Sequence, residues 1–171
     1  ATSAFSKQLL PIFDKPMIYY PLSTLMLAGV RDLLVITTPI DAPLFERLLG
    51  DGARWGMHFA YDTQSQPRGI AEALVIGDPF LAGRASALVL GDNLFFGHDI
   101  PAQVQQAMTR QRGATVFAHQ VASPEAYGVV AYDAQGRVLD IVEKPEVPPS
   151  RWAVTGLYLY DSDAPQLARS L

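Results

Sequence analysis

The 171-residue sequence contains no cysteine, which excludes disulfide bonds, thiolate metal sites and cysteine nucleophiles within it. It has no apolar run approaching the roughly 20 residues that cross a bilayer, and its start lacks the pattern of a signal peptide. Its net charge of −4 is acidic, whereas proteins that coat nucleic-acid phosphates are usually basic. We therefore expect a cytoplasmic protein that binds neither membranes nor nucleic acid.

Several catalytic signatures are also missing. The sequence has no Gly-x-x-x-x-Gly-Lys-Ser/Thr phosphate loop and no Gly-x-Gly-x-x-Gly fingerprint, which argues against P-loop NTPases and NAD-dependent dehydrogenases. It has neither a Gly-x-Ser-x-Gly elbow nor a His-Glu-x-x-His motif. Its histidines, His58, His98 and His119, lie in different sequence contexts, so the pattern does not favour a histidine-based zinc site.

Hydrophobic residues make up 49% of the chain, enough for one domain with a sizeable core. Apolar patterns alternate between strand and helix: strands at 33–36, 57–61 and 87–90, helices at 17–27, 42–49 and 70–76. This order predicts an α/β fold with a right-handed, mostly parallel sheet and helices on both faces. A hairpin pattern over 127–142 follows, so we expect a mixed sheet with a β-rich lobe on the carboxyl side.

The stretch from Ala87 to Asn93 marks the most informative position. It predicts a buried strand that stops at Gly91 and is followed at once by Asp92. In open α/β sheets, ligands collect outside the carboxyl ends of the strands, so Asp92 is placed to hold a hard cation or a sugar hydroxyl. The alternative is a Gly-Asp turn that merely ends the strand.

Other polar residues are candidates for the same site, namely the charged Lys7, Glu143 and Lys144 and the amides Gln8 and Gln64. A carboxylate at a strand end, together with lysines and neutral hydrogen-bonding groups, suits a phosphate ligand that carries Mg²⁺. This ion binds through one or two carboxylates together with substrate phosphates, and lysines neutralise the remaining charge. The alternative for each lysine is a solvated surface position.

The segment 6–23, SKQLLPIFDKPMIYYPLS, resembles the signature of bacterial glucose-1-phosphate thymidylyltransferases. Further segments resemble that family in its order: 48–52, 90–97, 127–130, 143–145 and 152–158. The resemblance implies a Rossmann-like nucleotide-diphospho-sugar transferase fold, with the β-rich lobe binding the sugar.

The resemblance also implies a reaction. A deoxythymidylyl group passes from dTTP to α-D-glucose 1-phosphate by in-line attack at the α-phosphorus, giving dTDP-glucose and pyrophosphate. Such chemistry depends on positioning and charge neutralisation rather than on covalent catalysis. The implied cofactor is Mg²⁺, and the implied assembly is a homo-oligomer, a homotetramer in this family.

Carried over residue by residue, the resemblance implies a nucleotide site. Asp92 would bind Mg²⁺ beside the α-phosphate. Lys7 and Gln8 would hold the nucleotide phosphates, with Lys7 also stabilising charge that grows in the transition state. Gln64 and Gly69 would recognise the edge of thymine, since an amide and a backbone group suit a neutral base.

The same comparison implies a sugar site. Gly128, Glu143 and Val154 would contact the glucose, mainly its hydroxyl groups, and Lys144 would pair with the phosphate of the sugar. The residues expected to act in catalysis are therefore Lys7, Asp92 and Lys144.

Two departures from the family pattern lie next to the base-binding loop. Residues 69–73 read Gly-Ile-Ala-Glu-Ala where the family usually reads Gly-Leu-Ala-Gln-Ala, and Arg68 replaces the customary acid. We interpret both as changes at the start of a helix that leave Gln64 and Gly69 in place.

The family's glycine-rich phosphate loop precedes a threonine matched here by Thr2, and a second metal-binding aspartate lies beyond the match to Leu171. We therefore expect residues 1–171 to form a single nucleotidyltransferase domain without its first strand and its carboxyl-terminal part. Two alternatives stay open: a uridylyl- or cytidylyltransferase acting on the same sugar phosphate, or a non-catalytic sugar-nucleotide-binding protein.

Overall fold

The computed structural model describes residues 6–97, 99–110 and 112–171. The sequence-based assignments at Thr2 and His98 lie outside these described residues.

Strands and helices alternate along the first half of the chain, and strands dominate the second. In the described ranges, the strands are β1 (Pro11–Ile12), β2 (Lys15–Pro16), β3 (Asp32–Thr37), β4 (His58–Thr63), β5 (Ser86–Val89), β6 (Ala114–Gln120), β7 (Gly128–Tyr132), β8 (Val138–Glu143) and β9 (Trp152–Tyr160). The α-helices are α1 (Tyr19–Leu27), α2 (Ala42–Leu49), α3 (Ile70–Leu81), α4 (Ile100–Met108) and α5 (Ala164–Ala168). Short 3₁₀ helices span Lys7–Leu9, Ala53–Trp55 and Pro124–Ala126.

The sheet pairing is mixed. Strand β3 runs parallel to β4, with Asp32 opposite His58 and Thr37 opposite Thr63. Strand β9 is the centre of the larger sheet, where it pairs antiparallel with β5, β6 and β7, and β8 follows β7 at the edge. The predicted α/β fold with a β-rich lobe is therefore confirmed.

Parallel pairing takes a smaller share than the strand–helix order predicts. Within residues 6–97, 99–110 and 112–171 it is confined to β3 and β4. Between β6 and β9 the chain forms the β7–β8 hairpin and a proline-rich loop. It has no long helical crossover there, which parallel neighbours usually require, so β9 enters the sheet antiparallel to β6.

A cleft of about 910 Å³ lies between the β3–β4 pair and the five-stranded sheet. Every residue of β3 and of β5 lines it. Because side chains alternate between the two faces of a strand, this lining means that one backbone edge of each strand faces the cleft. Residues of α1 and α3 form further walls.

The buried residues form two clusters, and α1 contributes to both. One joins α1 and α2 to the β3–β4 pair, through Ile18, Leu22, Val35, Phe45, Leu49, Met57 and Phe59. The other joins α1 and α4 to β9, through Leu25, Ala28, Val104, Ala107, Leu157 and Leu159. Helix α1 therefore packs against both the β3–β4 pair and the larger sheet, and it holds them on either side of the cleft. None of the helices in the described ranges has the length and apolar character to span a bilayer.

Candidate active site

Asp92 lies just beyond the carboxyl end of β5, as the sequence predicts. The backbone N–H of Leu90 donates to the carbonyl of Gly156 on β9 (2.8 Å), which extends the pairing by one residue. A turn follows, closed by a hydrogen bond from the N–H of Asn93 to the carbonyl of Leu90 (3.1 Å). The turn presents the carboxylate of Asp92 at the edge of the sheet, where ligands collect in α/β folds.

Lys7 and Asp92 form an ion pair. Lys7 begins the first 3₁₀ helix, and its ammonium group contacts Oδ2 of Asp92. Partial burial raises the pKa of Asp92, but the hydrogen bond and charge of Lys7, and then the hydrogen bond from Asn93, outweigh this effect. The pKa of Asp92 therefore lies below its ordinary value, and the group is an anion near neutral pH, as a carboxylate ligand must be.

The amide of Asn93 connects this carboxylate to β9. Its Nδ2 donates to Oδ1 of Asp92 (3.1 Å), and its Oδ1 accepts from the backbone N–H of Gly156 (3.1 Å). Exchanging the oxygen and nitrogen of the amide would place acceptor against acceptor and donor against donor. Asn93 is therefore held in one orientation, in which it donates to Asp92.

Gln8 packs over the same turn. A Cβ atom on Gly91 would lie 3.0 Å from Cγ of Gln8 and 3.1 Å from Cδ1 of Ile18. The carbonyl of Gln8 accepts from the N–H of Ile18 (2.9 Å), and its Oε1 accepts from the hydroxyl of Ser6. Glycine at position 91 lets Gln8 approach the backbone beside Asp92 this closely.

Gln64 and Gly69 lie together at the start of α3. The N–H of Gln64 donates to the carbonyl of Thr37 at the end of β3 (2.8 Å). Its Nε2 donates to the carbonyl of Gly69 (3.1 Å) and to Oε2 of Glu72 (2.6 Å). Gly69 has φ of +90° directly before the helix, a conformation that favours glycine.

The nucleotide-site candidates converge on one cavity. Gln8, Gln64, Gly69 and Asp92 all line the cleft between the sheets, and Lys7 joins them through its ion pair with Asp92. Three separate parts of the sequence therefore contribute to one cleft near the carboxyl ends of β4 and β5, four of these residues by lining it and Lys7 through its contact with Asp92.

Three of the sugar-site candidates meet at one end of the β7–β8 hairpin. Gly128 pairs with Glu143 across the two strands, and a Cβ on Gly128 would lie 3.0 Å from Oε2 of Glu143. Lys144 follows with φ of +43°, and its N–H donates to the carbonyl of Tyr127 (3.0 Å). Its Nζ lies 3.8 Å from Oε1 of Glu143, with both side chains largely exposed.

Val154 lies on β9, between this hairpin and Asp92. It pairs with Ala118 of β6. The register shifts beside this pair, because β9 advances by four residues where β6 advances by two. It precedes Gly156 by two residues, so their Cα atoms lie within about 7 Å. Burial raises the pKa of Tyr158, two residues further on, and the charge of Glu143 raises it again. The pairing of Val129 with Ala153 places the hairpin end beside this part of β9.

The two groups are neighbours rather than one bonded network. In the part of the chain that the structure describes, no hydrogen bond or ion pair joins the nucleotide group to the sugar group. Nor do those residues contain a cluster of three or more histidine, aspartate or glutamate side chains suited to a metal ion. Asp92 thus fits Mg²⁺ as a single protein carboxylate, which requires substrate phosphates as further ligands.

A sequence model described as nucleotidyl transferase matches residues 1–170. The chain belongs to this family. It is 55% identical over 170 residues to glucose-1-phosphate thymidylyltransferase from Xanthomonas campestris pv. campestris, covering 99% of this chain and 58% of the relative. It is 53% identical to the protein of that name from Mycobacterium tuberculosis, covering 99% and 59%. The chain thus spans less than two thirds of these relatives' length.

Solved structures of the family share the fold. A Bacillus anthracis protein assigned as a glucose-1-phosphate thymidylyltransferase, solved in complex with sucrose, superposes with a TM-score of 0.92 at 34% identity. That match covers 99% of this chain and 68% of the other. A UDP-glucose pyrophosphorylase complexed with UDP-glucose gives a TM-score of 0.79 at 27% identity, over 95% and 70% of the two chains.

Sequence reasoning missed three residues that support the site. Asn93 and Gly156 stood within the family-like segments 90–97 and 152–158, but nothing in their spacing of 63 residues indicated a contact. Glu72 was interpreted only as a change at the start of a helix, and the structure shows that it also binds the side chain of Gln64. Only the tertiary pairing of β5 with β9, and of β4 with α3, brings these partners together.

Proposed function

We propose that this chain provides the nucleotide and sugar sites of a glucose-1-phosphate thymidylyltransferase. The observation that carries the proposal is the Lys7–Asp92 ion pair at the end of β5, beside a cleft that Gln8, Gln64 and Gly69 also line. The names of relatives at 49–56% identity support it. The substrates are dTTP and α-D-glucose 1-phosphate, and the products are dTDP-glucose and pyrophosphate.

In the proposed reaction, a phosphate oxygen of glucose 1-phosphate attacks the α-phosphorus of dTTP. The new oxygen–phosphorus bond forms as the bond from the α-phosphorus to the bridging oxygen breaks, and pyrophosphate leaves with that electron pair. Lys7 neutralises charge on the nucleotide phosphates, and Gln8 donates hydrogen bonds to them. Such a transfer needs positioned charge rather than a covalent intermediate.

We propose that Asp92 binds Mg²⁺. When bound, the ion supplies positive charge beside the nucleotide phosphates. In the structure, both carboxylate oxygens already have partners, Lys7 on Oδ2 and Asn93 on Oδ1. We infer that Lys7 exchanges the carboxylate for a substrate phosphate, which frees Oδ2 as a ligand. The exposure of the Lys7 side chain, 55%, leaves it free to move.

The hairpin end provides the proposed sugar site. The carboxylate of Glu143 accepts hydrogen bonds from glucose hydroxyls. Gly128, whose lack of a side chain leaves room for that carboxylate, contacts the ring. Lys144, with a mostly exposed ammonium group beside Glu143, neutralises the sugar phosphate. Val154 provides an apolar contact on β9.

The wider assignments are proposals of the same kind. Residues 1–171 would be a single nucleotidyltransferase domain without the family's first strand and carboxyl-terminal part, within a cytoplasmic homotetramer. The partial coverage of the relatives supports the domain assignment. Sedimentation of the intact gene product as a monomer at micromolar concentration would contradict the assembly.

Pyrophosphate release by the intact gene product tests the function. Glucose 1-phosphate is supplied with dTTP, UTP, CTP or ATP, and we expect release with dTTP. Preference for UTP would favour the uridylyl alternative, which the likeness to a UDP-glucose pyrophosphorylase also supports. Binding of dTDP-glucose without release from any nucleotide would favour a non-catalytic sugar-nucleotide-binding protein.

A further inference from the structure

The side-chain amide of Gln64 is held by two acceptors on the protein. Its Nε2 donates to the carbonyl of Gly69 at 3.1 Å and to Oε2 of Glu72 at 2.6 Å. A primary amide nitrogen has two hydrogens, so these contacts use both. What the side chain can still offer a ligand is its oxygen, Oε1, which is only an acceptor.

We propose that Glu72 fixes the amide of Gln64 with its oxygen toward the cleft, and that this orientation selects thymine or uracil over cytosine. Glu72 is then a positioning residue that determines base specificity through Gln64. The inference rests on the proposed function, because it assigns the base that the nucleotide site accepts.

Gly69 and Glu72 both set the orientation of the Gln64 amide. Turning the amide over would bring Oε1 to about the same 2.6 Å from a carboxylate oxygen of Glu72 and about 3.1 Å from the carbonyl of Gly69. Each of these would be an acceptor against an acceptor, and the carboxylate contact would be the more costly because its partner carries charge. The flipped amide is thus unfavourable before any nucleotide arrives.

When the base is held with ring position 3 facing Oε1, and not the neighbouring 4-amino group of cytosine, an acceptor of fixed orientation distinguishes the pyrimidines. Thymine and uracil carry an N–H there, which donates to Oε1. Cytosine carries an unprotonated nitrogen, whose lone pair would face Oε1. A site built around one hydrogen bond rejects an analogue that cannot make it, because the polar group of the site is left unpaired. Gln64 lines the cleft together with Gln8 and Asp92, where the rest of the nucleotide is proposed to bind.

The choice of glutamate at position 72 sharpens this selection. A carboxylate can only accept, whereas the glutamine that the family usually has there can accept or donate. With glutamine at 72, a flipped Gln64 could still receive a hydrogen bond there, so that only the carbonyl of Gly69 would oppose the flip. Glu72 lies in the first turn of α3, where an acidic side chain is also favourable for the helix.

The test compares three nucleotides on the intact gene product and on its Glu72→Gln variant. We measure kcat/KM for dTTP, dUTP and dCTP with glucose 1-phosphate, and the affinity of each nucleotide by calorimetry. We expect the dTTP-to-dCTP ratio to fall by about ten- to hundredfold in Glu72→Gln. The dTTP-to-dUTP ratio should stay the same, because both bases present the same N–H. Glu125→Gln, at an exposed position outside the site, is the matched control and should change neither ratio.

A double-mutant cycle separates positioning from a structural role. In the Gln64→Ala background the discrimination should already be lost, so adding Glu72→Gln should leave the dTTP-to-dCTP ratio unchanged. Equal losses for all three nucleotides in Glu72→Gln would overturn the inference and leave the proposed function intact. If no nucleotide supports pyrophosphate release, the proposed function fails. The calorimetric affinities then still decide the inference, because an unchanged dTTP-to-dCTP affinity ratio in Glu72→Gln would refute it.

Discussion

The amide of Asn93 occupies the space that a side chain on Gly156 would need. A Cβ atom on Gly156 would lie 2.6 Å from Nδ2 and 2.7 Å from Cγ of Asn93, closer than non-bonded atoms approach. The same amide donates to Asp92 and accepts from the N–H of Gly156. Glycine at position 156 of β9 is therefore required for the support of the Asp92 carboxylate beyond the end of β5.

We predict that Gly156→Ala lowers kcat of the intact gene product because the added methyl displaces Asn93 and leaves Asp92 unsupported. The lost hydrogen bond is charge-assisted, so the loss should be about ten- to hundredfold. Gly77→Ala is the matched control, since its Cβ would make an ordinary 3.6 Å contact with Leu34. In an Asn93→Ala background the clash disappears, so Gly156→Ala should then cost little more. Additive losses would contradict this coupling.

Asp92→Asn should abolish turnover and preserve the fold. The substitution keeps the size of the side chain but removes the charge that is proposed to hold Mg²⁺ at the end of β5. Asp140→Asn, at an exposed position on β8, is the control and should retain activity. Steady-state rates are measured against Mg²⁺ concentration, with circular dichroism to check folding. Normal Mg²⁺-dependent turnover in Asp92→Asn would refute the metal assignment.

Lys144→Ala should weaken binding of glucose 1-phosphate far more than binding of dTTP. A charge-assisted contact to the sugar phosphate contributes about 1.5–3 kcal/mol, hence a roughly ten- to hundredfold rise in KM for that substrate. Lys15→Ala removes a half-buried lysine near Asp14 and Tyr20 and should leave both KM values unchanged. Equal effects of Lys144→Ala on both substrates would place this lysine outside the sugar site.

The hairpin turn of the β-rich lobe should lose stability in acid through Asp133. The N–H of Arg137 is the main cause of the lowered pKa of this carboxyl, burial opposes it, and the Arg137 side chain and the N–H of Gln135 add to the lowering. Because the pKa of Asp133 in the folded protein lies below the ordinary value of 3.8, the contribution of this carboxylate to the stability of the turn is complete above pH 3.8. It is lost as pH falls through the folded pKa.

Thermal unfolding at several pH values measures this effect. The stability difference between the protein and its Asp133→Ala variant should be constant near neutral pH and should shrink below about pH 4. Asp133→Asn keeps an acceptor for the N–H groups of Gln135 and Arg137 but does not titrate, so its stability difference from the protein should be smaller at neutral pH and should shrink by the same amount in acid. A difference that grows as pH falls would contradict the assignment.

The sequence predicted local elements well because their signals are local. The patterns at 42–49 and 33–36 correspond to α2 and to β3, which extends one residue further at each end. The helix predicted over 70–76 continues to Leu81, because Pro79 is tolerated inside it. A proline removes one backbone hydrogen bond. The tertiary packing of the helix, which cannot be seen in the sequence, outweighs that loss.

What the sequence could not predict is which distant residues meet. Asp92 was identified from the strand that precedes it, because a strand end is a local feature. Its contacts with Lys7 and Asn93, and the link from Asn93 to Gly156, depend on how β5 pairs with β9. The direction of β9 was equally hidden, because a pattern of apolar residues is the same for parallel and antiparallel neighbours.

The isolated 1–171 polypeptide should not catalyse the transfer, in contrast to the intact gene product. Its structure leaves a cleft of about 910 Å³ between the edges of β3 and β5, and exposed strand edges promote aggregation. The resemblance also implies a glycine-rich loop that holds the nucleotide phosphates through backbone N–H groups. Without such donors, Lys7 must neutralise them as a flexible side chain that loses rotamer entropy on binding.

Each preorganised transition-state donor that is lost costs about 2.7–4 kcal/mol, so the absence of several would bring turnover below detection. We therefore expect the purified 1–171 polypeptide to be poorly soluble and to release no pyrophosphate from dTTP and glucose 1-phosphate. The intact gene product, assayed in parallel at the same concentration, is the positive control. Turnover by the polypeptide close to that of the intact protein would show that Lys7, Gln8 and Asp92 suffice to hold the phosphates. The proposed dependence on further backbone donors would then be wrong.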